Sequence, residues 1–235
     1  MGIKQDLVPI FTKHELSFVE QSHEVEDLYS FIFQSEKKLH WQAGQHGVFT
    51  ITHEKIPKPT RSFSIAAAPS EGYFQITTNI TKIPSPFKQA LTTLAPGEKI
   101  SMRGPVGKFY LHNAQPTLLI AGGIGITPYK SIVTELSLTG ESKPSHLELV
   151  YLDSKDEFLF QSLFNQLVDQ QLLEVSYVKV RTEAFAKVER FIAQYGNQAN
   201  YFLVGPPKMV NGFSQFLKEK QVNKKQIIKD RFFGY

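Results

Sequence analysis

Thr117-Leu118-Leu119-Ile120-Ala121-Gly122-Gly123-Ile124-Gly125-Ile126-Thr127-Pro128 is the stretch whose reading decides the rest of this chain. Its first half is a short apolar run suited to a strand covered on both faces. Gly122, Gly123 and Gly125 follow, and then Thr127-Pro128 reads as a helix start, a hydroxyl at the cap and proline where an amide donor has no partner anyway. Tyr129, Ile132, Val133 and Leu136 fall at helical spacing, and Gly140 stops the run. The unit is strand, glycine turn, helix. Such a turn aims several backbone N–H groups at one point beside a helix start, which suits a diphosphate. The plainer reading, a tight turn that binds nothing, stays open at this point because the spacing is not G-x-G-x-x-G.

Downstream the same alternation repeats. Leu147 to Tyr151, Val175 to Val180, Tyr201 to Val204 and Ile227-Ile228 read as strands. Between them, Phe160, Leu163, Phe164 and Leu167 mark one helical face, Phe185, Val188, Ile192 and Tyr195 a second, and Met209, Val210, Phe213 and Leu217 a third. Alternation of this kind predicts a parallel sheet with ligands beyond the carboxyl ends of its strands. The glycine turn, Asp153-Ser154-Lys155 and Gly205-Pro206-Pro207 each follow such a strand and are expected on one edge.

Upstream the period is different. Leu16 to Glu26, Leu28 to Phe33, Val48 to Thr52, Ser62 to Ala66, Tyr73 to Thr78 and Lys99 to Met102 have strand composition. One short helix carries Phe87, Leu91 and Leu94 on a face, with Ser85 as its cap. Many short strands with one helix predict an antiparallel barrel. The change of period near His112 to Pro116 divides the chain into residues 1–113, the barrel, and 114–235, the α/β domain. In Arg61-Ser62-Phe63-Ser64-Ile65, alternation puts Arg61, Phe63 and Ile65 on one side and Ser62 and Ser64 on the other. An arginine beside an aromatic ring can pair a phosphate and stack a flat ligand. From this segment alone, a surface arginine near a core phenylalanine is the preferred reading. Gly104-Pro105-Val106-Gly107-Lys108-Phe109 reads as a glycine-rich turn, too short in spacing to be a P-loop.

Composition narrows the function classes. A net charge of +4 with a pI near 9.0 is too weak to argue for nucleic acid, and no basic block interleaves with aromatics. The absence of cysteine excludes disulfides, a cysteine nucleophile and a cysteine-held iron–sulfur cluster in this chain. With no apolar run of spanning length and no signal-like start, a cytoplasmic location is expected. The seven histidines, at positions 14, 23, 40, 46, 53, 112 and 146, lack helical metal spacing and are expected to be structural or exposed, with no metal bound.

Five motifs, in order, resemble the ferredoxin–NADP reductase-like flavoproteins. Arg61-Ser62-Phe63-Ser64 resembles the Arg-x-Tyr-Ser flavin motif with phenylalanine for tyrosine. Gly104 to Phe109 is similar to the Gly-Pro-x-Gly-x-Phe turn, and Gly122 to Pro128 to the nicotinamide-dinucleotide loop. Gly205-Pro206-Pro207-Lys208-Met209 resembles the Cys-Gly-Pro segment, with Val204 where many members carry cysteine. Asp230-Arg231-Phe232-Phe233-Gly234-Tyr235 is similar to the acidic-x-Phe-x-Gly-Tyr ending of some bacterial members.

The resemblance implies a flavin barrel followed by an α/β domain for NADPH or NADH, with FAD the flavin. It implies that Arg61 pairs with the flavin diphosphate, that Phe63 packs on the isoalloxazine, and that Ser64 offers a hydroxyl near N5. Ser62, Thr77, Thr78, Ser85, Phe87 and Lys88 complete the flavin side. Gly122, Gly123, Gly125, Thr127, Pro128, Asp153, Ser154, Gly205, Pro206 and Met209 would serve the dinucleotide. Asp230 is read as a proton-delivery candidate, and Phe232 or Tyr235 as an aromatic over the flavin face, Tyr235 gating the reaction. Asp153 suits an NADH ribose diol and Lys155 or Arg181 an NADPH phosphate, and the basic balance leans to NADPH. Lys208, Lys218, Lys220, Lys224, Lys225 and Lys229 read as a solvated face or as a dock for an acidic electron carrier. The activity expected is hydride transfer from NAD(P)H to FAD and onward to a separate acceptor. Alternatives are direct reduction of ferric chelates or free flavin, and a non-catalytic flavin- or nucleotide-binding regulatory module.

Overall fold

The computed structural model describes residues 12–141 and 143–231, without the side chain of Arg231. The chain divides into two compact units, residues 1–110 with 130–135 and residues 111–129 with 136–235.

The first unit is built on β1 (Lys13–Val25), β2 (Leu28–Gln34), β3 (His46–Ile51), β4 (Thr60–Ser64), β5 (Phe74–Asn79) and β6 (Lys99–Val106), with one helix, α1 (Pro86–Thr92). The six strands form one antiparallel sheet in the order β4-β3-β6-β1-β2-β5. It curls until its edges meet: just past β4 the Ala66 N–H donates to the Gln75 carbonyl of β5 at 2.8 Å. The inward alternate residues are large and apolar, among them Leu16, Phe18, Phe31, Phe33, Phe49, Phe63, Phe74 and Met102. Each such side chain contributes about 2–3 kcal/mol on leaving water, which is why a small barrel closes over them.

Two local features differ from the sequence expectation. Gly104-Pro105 is not part of a turn but lies inside β6, where the register with β3 slips between His46 and Val48. Gly104 takes φ +104° at this bulge, a value that lets the strand bend and keep pairing. The fourth strand runs over Thr60–Ser64 and stops before Ile65, whose N–H turns to the Gln45 carbonyl instead.

A lysine is buried in the first unit. Lys130 is 7% exposed and donates to Gln75 Oε1 at 2.8 Å and Glu71 Oε2 at 3.1 Å. Gln75 donates in turn to Ser30 Oγ, which shares a hydrogen bond with Thr77 Oγ1. Burial holds the Lys130 ammonium below the usual lysine range, and the Glu71 carboxylate works against that shift.

The second unit holds β7 (Thr117–Gly122), β8 (Leu147–Leu152), β9 (Glu174–Val178), β10 (Asn200–Gly205) and β11 (Ile227–Arg231) in one parallel sheet, order β11-β10-β7-β8-β9. Around it run α2 (Thr127–Thr139), α3 (Gln161–Asp169), α4 (Arg181–Tyr195) and α5 (Pro207–Glu219). Every residue of β7 and β10 is buried, as central strands require. The strand order reverses between β7 and β10, and this switch point is where open α/β sheets leave a crevice beyond their carboxyl ends.

The helix start at Thr127 also differs from expectation. Gly123–Ile126 already forms a 3-10 turn that runs into α2, so the residue before Thr127 is helical and no side chain caps it. The glycines allow this early winding, and Thr127 is therefore an interior position, 4% exposed.

Candidate functional site

The first unit gathers cations and unmatched hydroxyls around its edge strands. Ser85 caps α1, accepting from the Lys88 N–H, as its sequence position predicts. On β4, Arg61 Nη1 donates to the carbonyls of Lys58 at 2.9 Å and Thr60 at 2.7 Å. Its guanidinium carbon lies 5.7 Å from the Phe87 ring centroid. A guanidinium has five N–H donors, so one end of Arg61 is anchored while Nη2 and Nε have no acceptor among the described residues. Lys88 reaches Asn79 Oδ1 at 2.5 Å. Burial pushes the Lys88 ammonium below the usual range, Asp27 opposes the shift, and the nearby Arg61 charge adds to it. Two cations that repel one another beside a capped helix start form a place where an anion is favoured.

Ser64 Oγ and Thr78 Oγ1 are buried with no hydrogen-bond partner among the described residues. A buried unpaired hydroxyl costs about 1–3 kcal/mol, so both are groups that a bound ligand could satisfy. Thr77 already pairs with Ser30, and Ser62 is exposed on β4. Phe63 sits deeper than its motif suggests. It is 6% exposed, with ring centroids of Phe49 and Phe87 at 6.1 and 5.7 Å. Asn79 escaped the sequence reading; an asparagine ending a strand gives no signal until the helix lysine is seen on its amide.

In the second unit the three predicted loops meet at the carboxyl edge of the sheet. A Cβ on Gly125 would stand 2.8 Å from the Val204 carbonyl oxygen and 2.9 Å from Gly205 Cα. One on Gly122 would stand 2.3 Å from Met209 Sδ, and one on Gly205 would stand 3.0 Å from Met209 Cε. Gly122, Gly125 and Gly205 are thus glycine because these loops press on each other, with Met209 packed over two of them. Thr127 and Pro128 are buried, whereas Gly123 and Ile124 are half-exposed. Asp153 lies alongside, its Oδ2 3.8 Å from where a Cβ on Gly123 would be. The Lys155 N–H donates to Asp153 Oδ1 at 2.8 Å, and the Asp153 N–H donates to the Val178 carbonyl. Ser154 and Lys155 are exposed, and Lys155 pairs with Glu157 at 3.8 Å. Arg181 lies over the Phe185 ring at 5.2 Å.

Asp230 is the register partner of Val204 on β10, so the two stand at the same edge as the glycine loop. Its charge helps push the buried Tyr129 phenol up, after burial itself. Pro206 precedes α5. Phe232 and Tyr235 lie outside the described residues.

Residues 15–110 match the oxidoreductase FAD-binding domain family. Over 186 residues, 74% of this chain, it is 27% identical to the toluate 1,2-dioxygenase electron transfer component of Pseudomonas putida. It is 29% identical over 208 residues, 79% of this chain, to the propane 2-monooxygenase reductase component of Mycolicibacterium goodii. The matched regions are 54% and 58% of those two proteins, so the chain spans little more than half the length of the curated relatives it matches. Among solved structures, the ferredoxin–NADP+ reductase of Plasmodium falciparum with 2'P-AMP superposes with a TM-score of 0.79 at 17% identity, covering 97% of this chain and 99% of that one. No helix among the described residues is long and apolar enough to cross a membrane. Residues 15–110 thus match the oxidoreductase FAD-binding domain family, and the chain, a curled antiparallel sheet followed by a parallel sheet that ends in the glycine loop, has the fold of that ferredoxin–NADP+ reductase.

Proposed function

We propose that this chain is an NAD(P)H-dependent flavoprotein reductase that binds FAD and passes electrons to a separate acceptor. The observation that carries the reading is the match of residues 15–110 to an FAD-binding domain whose edge strands hold an anchored but half-free arginine and two unpaired buried hydroxyls. These groups fit the cofactor. The free Arg61 donors, Lys88 and the Ser85-capped helix start suit its diphosphate, and the Ser64 and Thr78 hydroxyls suit polar atoms of its ring or ribityl chain. Bound FAD supplies a ring that accepts a hydride and releases its two electrons singly.

The protein's own contribution is positioning, exclusion of water and charge. Phe63 stiffens the wall between Phe49 and Phe87 from inside, so Arg61 and Ser64 extend from a packed strand rather than a loose loop. The half-exposed turn at Gly123 and Ile124, backed by Gly125 and Gly205, is the place for the donor's diphosphate. Asp230 is the candidate proton donor or acceptor at that edge, and Val204 leaves no side-chain thiol there. Asp153 beside Gly123 accepts hydrogen bonds from a ribose diol and repels a 2'-phosphate. Lys155 and Arg181, the residues suited to that phosphate, already rest on Glu157 and Phe185. NADH is therefore expected to be the better donor, the reverse of the lean from overall charge.

Anaerobic titration tests this directly. The purified protein is expected to be yellow after loading with FAD and to bleach with NADH at least tenfold faster than with NADPH. Failure to retain FAD sinks the reading; retention without bleaching by either donor leaves the non-catalytic binding module in its place.

Two of the relatives are an electron transfer component and a reductase component, which supports a protein acceptor. We place its dock on the C-terminal lysines. Lys220 pairs with Glu189 and Lys229 donates to Ser214 Oγ, so Lys208, Lys218, Lys224 and Lys225 are the ones proposed to meet an acidic carrier. Such docking predicts that reduction of the carrier slows steeply between low and physiological salt, whereas reduction of ferricyanide does not. Equal salt responses for the two acceptors would remove the dock.

A further inference from the structure

Another group of chemically capable side chains lies at the opposite edge of the parallel sheet. His146 stands just before β8, Glu148 is the second residue of that strand, and Glu174 opens β9. These are the amino ends of the strands, whereas the glycine loop lies at carboxyl ends. Glu148 and Glu174 are register partners, so their carboxylates rise side by side from one face of the sheet. Like charges so placed repel, and Glu148 is buried as well, its side chain only 4% exposed.

The protein offsets only part of that charge. Arg190 Nη2 donates to Glu148 Oε1 at 2.8 Å. The other oxygen, Oε2, faces His146 Nε2 at 3.9 Å, and His146 Nδ1 is 3.9 Å from Glu174 Oε1. Both separations are too long for hydrogen bonds. The imidazole is braced by Tyr195 and Phe191, with ring centroids at 5.4 and 6.0 Å. One ligand atom from each of the three residues lies within 4.8 Å of the others.

We propose that His146, Glu148 and Glu174 form a divalent-cation site whose chemistry suits Zn2+. One imidazole nitrogen and two carboxylate oxygens make a three-ligand set that leaves a position for water. Tetrahedral metal–ligand bonds of about 2.0–2.2 Å put ligand atoms about 3.4 Å apart, so atoms now within 4.8 Å of one another must close in by up to about 1.4 Å. Glu174, with a side chain 65% exposed, is free to make most of that movement. Arg190 would then act from outside the ligand set, orienting Glu148 through its second oxygen. The ion would tie β8 to β9 and neutralise the paired carboxylates, a role independent of the flavin reading.

The test uses untagged full chain and Zn2+ competed against a chromogenic chelator, with thermal unfolding followed in parallel. The unaltered protein is expected to bind one equivalent that H146Q and E174Q each weaken at least tenfold, and its melting point is expected to rise with Zn2+ while theirs do not. No competition by the unaltered chain, or equal affinity in all three proteins, overturns the site. Glu174 is exposed enough that E174Q keeps the fold, so a failure of H146Q to fold does not spoil the comparison.

Discussion

Gly125→Ala is expected to slow reduction by NADH about a hundredfold while leaving FAD bound. The added methyl would stand 2.8 Å from the Val204 carbonyl oxygen, 2.9 Å from Gly205 Cα and 3.0 Å from Gly205 N, all of them backbone. A flexible side chain could move aside, but two backbone segments anchored in adjacent strands β7 and β10 cannot without parting. Parting them moves the Gly123 and Ile124 amides, and a misplacement of about 1 Å in a positioning group costs about two orders of magnitude in rate. The overpacking itself costs about 1–3 kcal/mol in stability. Stopped-flow reduction, with the visible flavin spectrum as control, reads both halves of the prediction. An alanine variant that reduces at the native rate would mean that this loop does not position the donor.

Arg61→Ala is expected to weaken FAD about a hundredfold or more. The Arg61 end that faces away from Lys58 and Thr60 has three N–H donors and no acceptor among the described residues. Charge-assisted hydrogen bonds contribute about 1.5–3 kcal/mol each, so losing two removes about 3 kcal/mol or more from binding. Fluorescence recovery on FAD release measures it. Electrostatics adds an independent readout. Because the Arg61 charge helps lower the Lys88 pKa, removing it raises the pH at which Lys88 loses its proton in the apo protein. Unchanged FAD affinity in R61A would show that the diphosphate sits elsewhere.

Much of this arrangement was legible beforehand. The parallel sheet follows from apolar strands alternating with helical faces, and the barrel from short strands of a different period. Ser85 as a cap was readable because the capping residue and its helix are adjacent in the chain. The Thr127 cap failed for an equally local reason: glycines can wind a 3-10 turn ahead of the helix, and the sequence pattern does not say whether they do. Gly104 was mistaken for a turn because a bulge and a turn ask the same backbone freedom of glycine, and only the partner strand β3 distinguishes them.

The order of the elements, the two periods and the glycines were determined by the sequence itself, since local sterics and the alternation of apolar residues act within a few positions of the chain. The tertiary structure decided what those residues are for. Gly125 is required by a backbone 79 positions away at Val204, Phe63 was drawn into a core between Phe49 and Phe87, and Lys130 is buried against Glu71 and Gln75. Glu148 and Glu174 became neighbours only through the register of β8 and β9. Packing brings together atoms far apart in the chain, and whether a polar group is matched or left unpaired is settled only there.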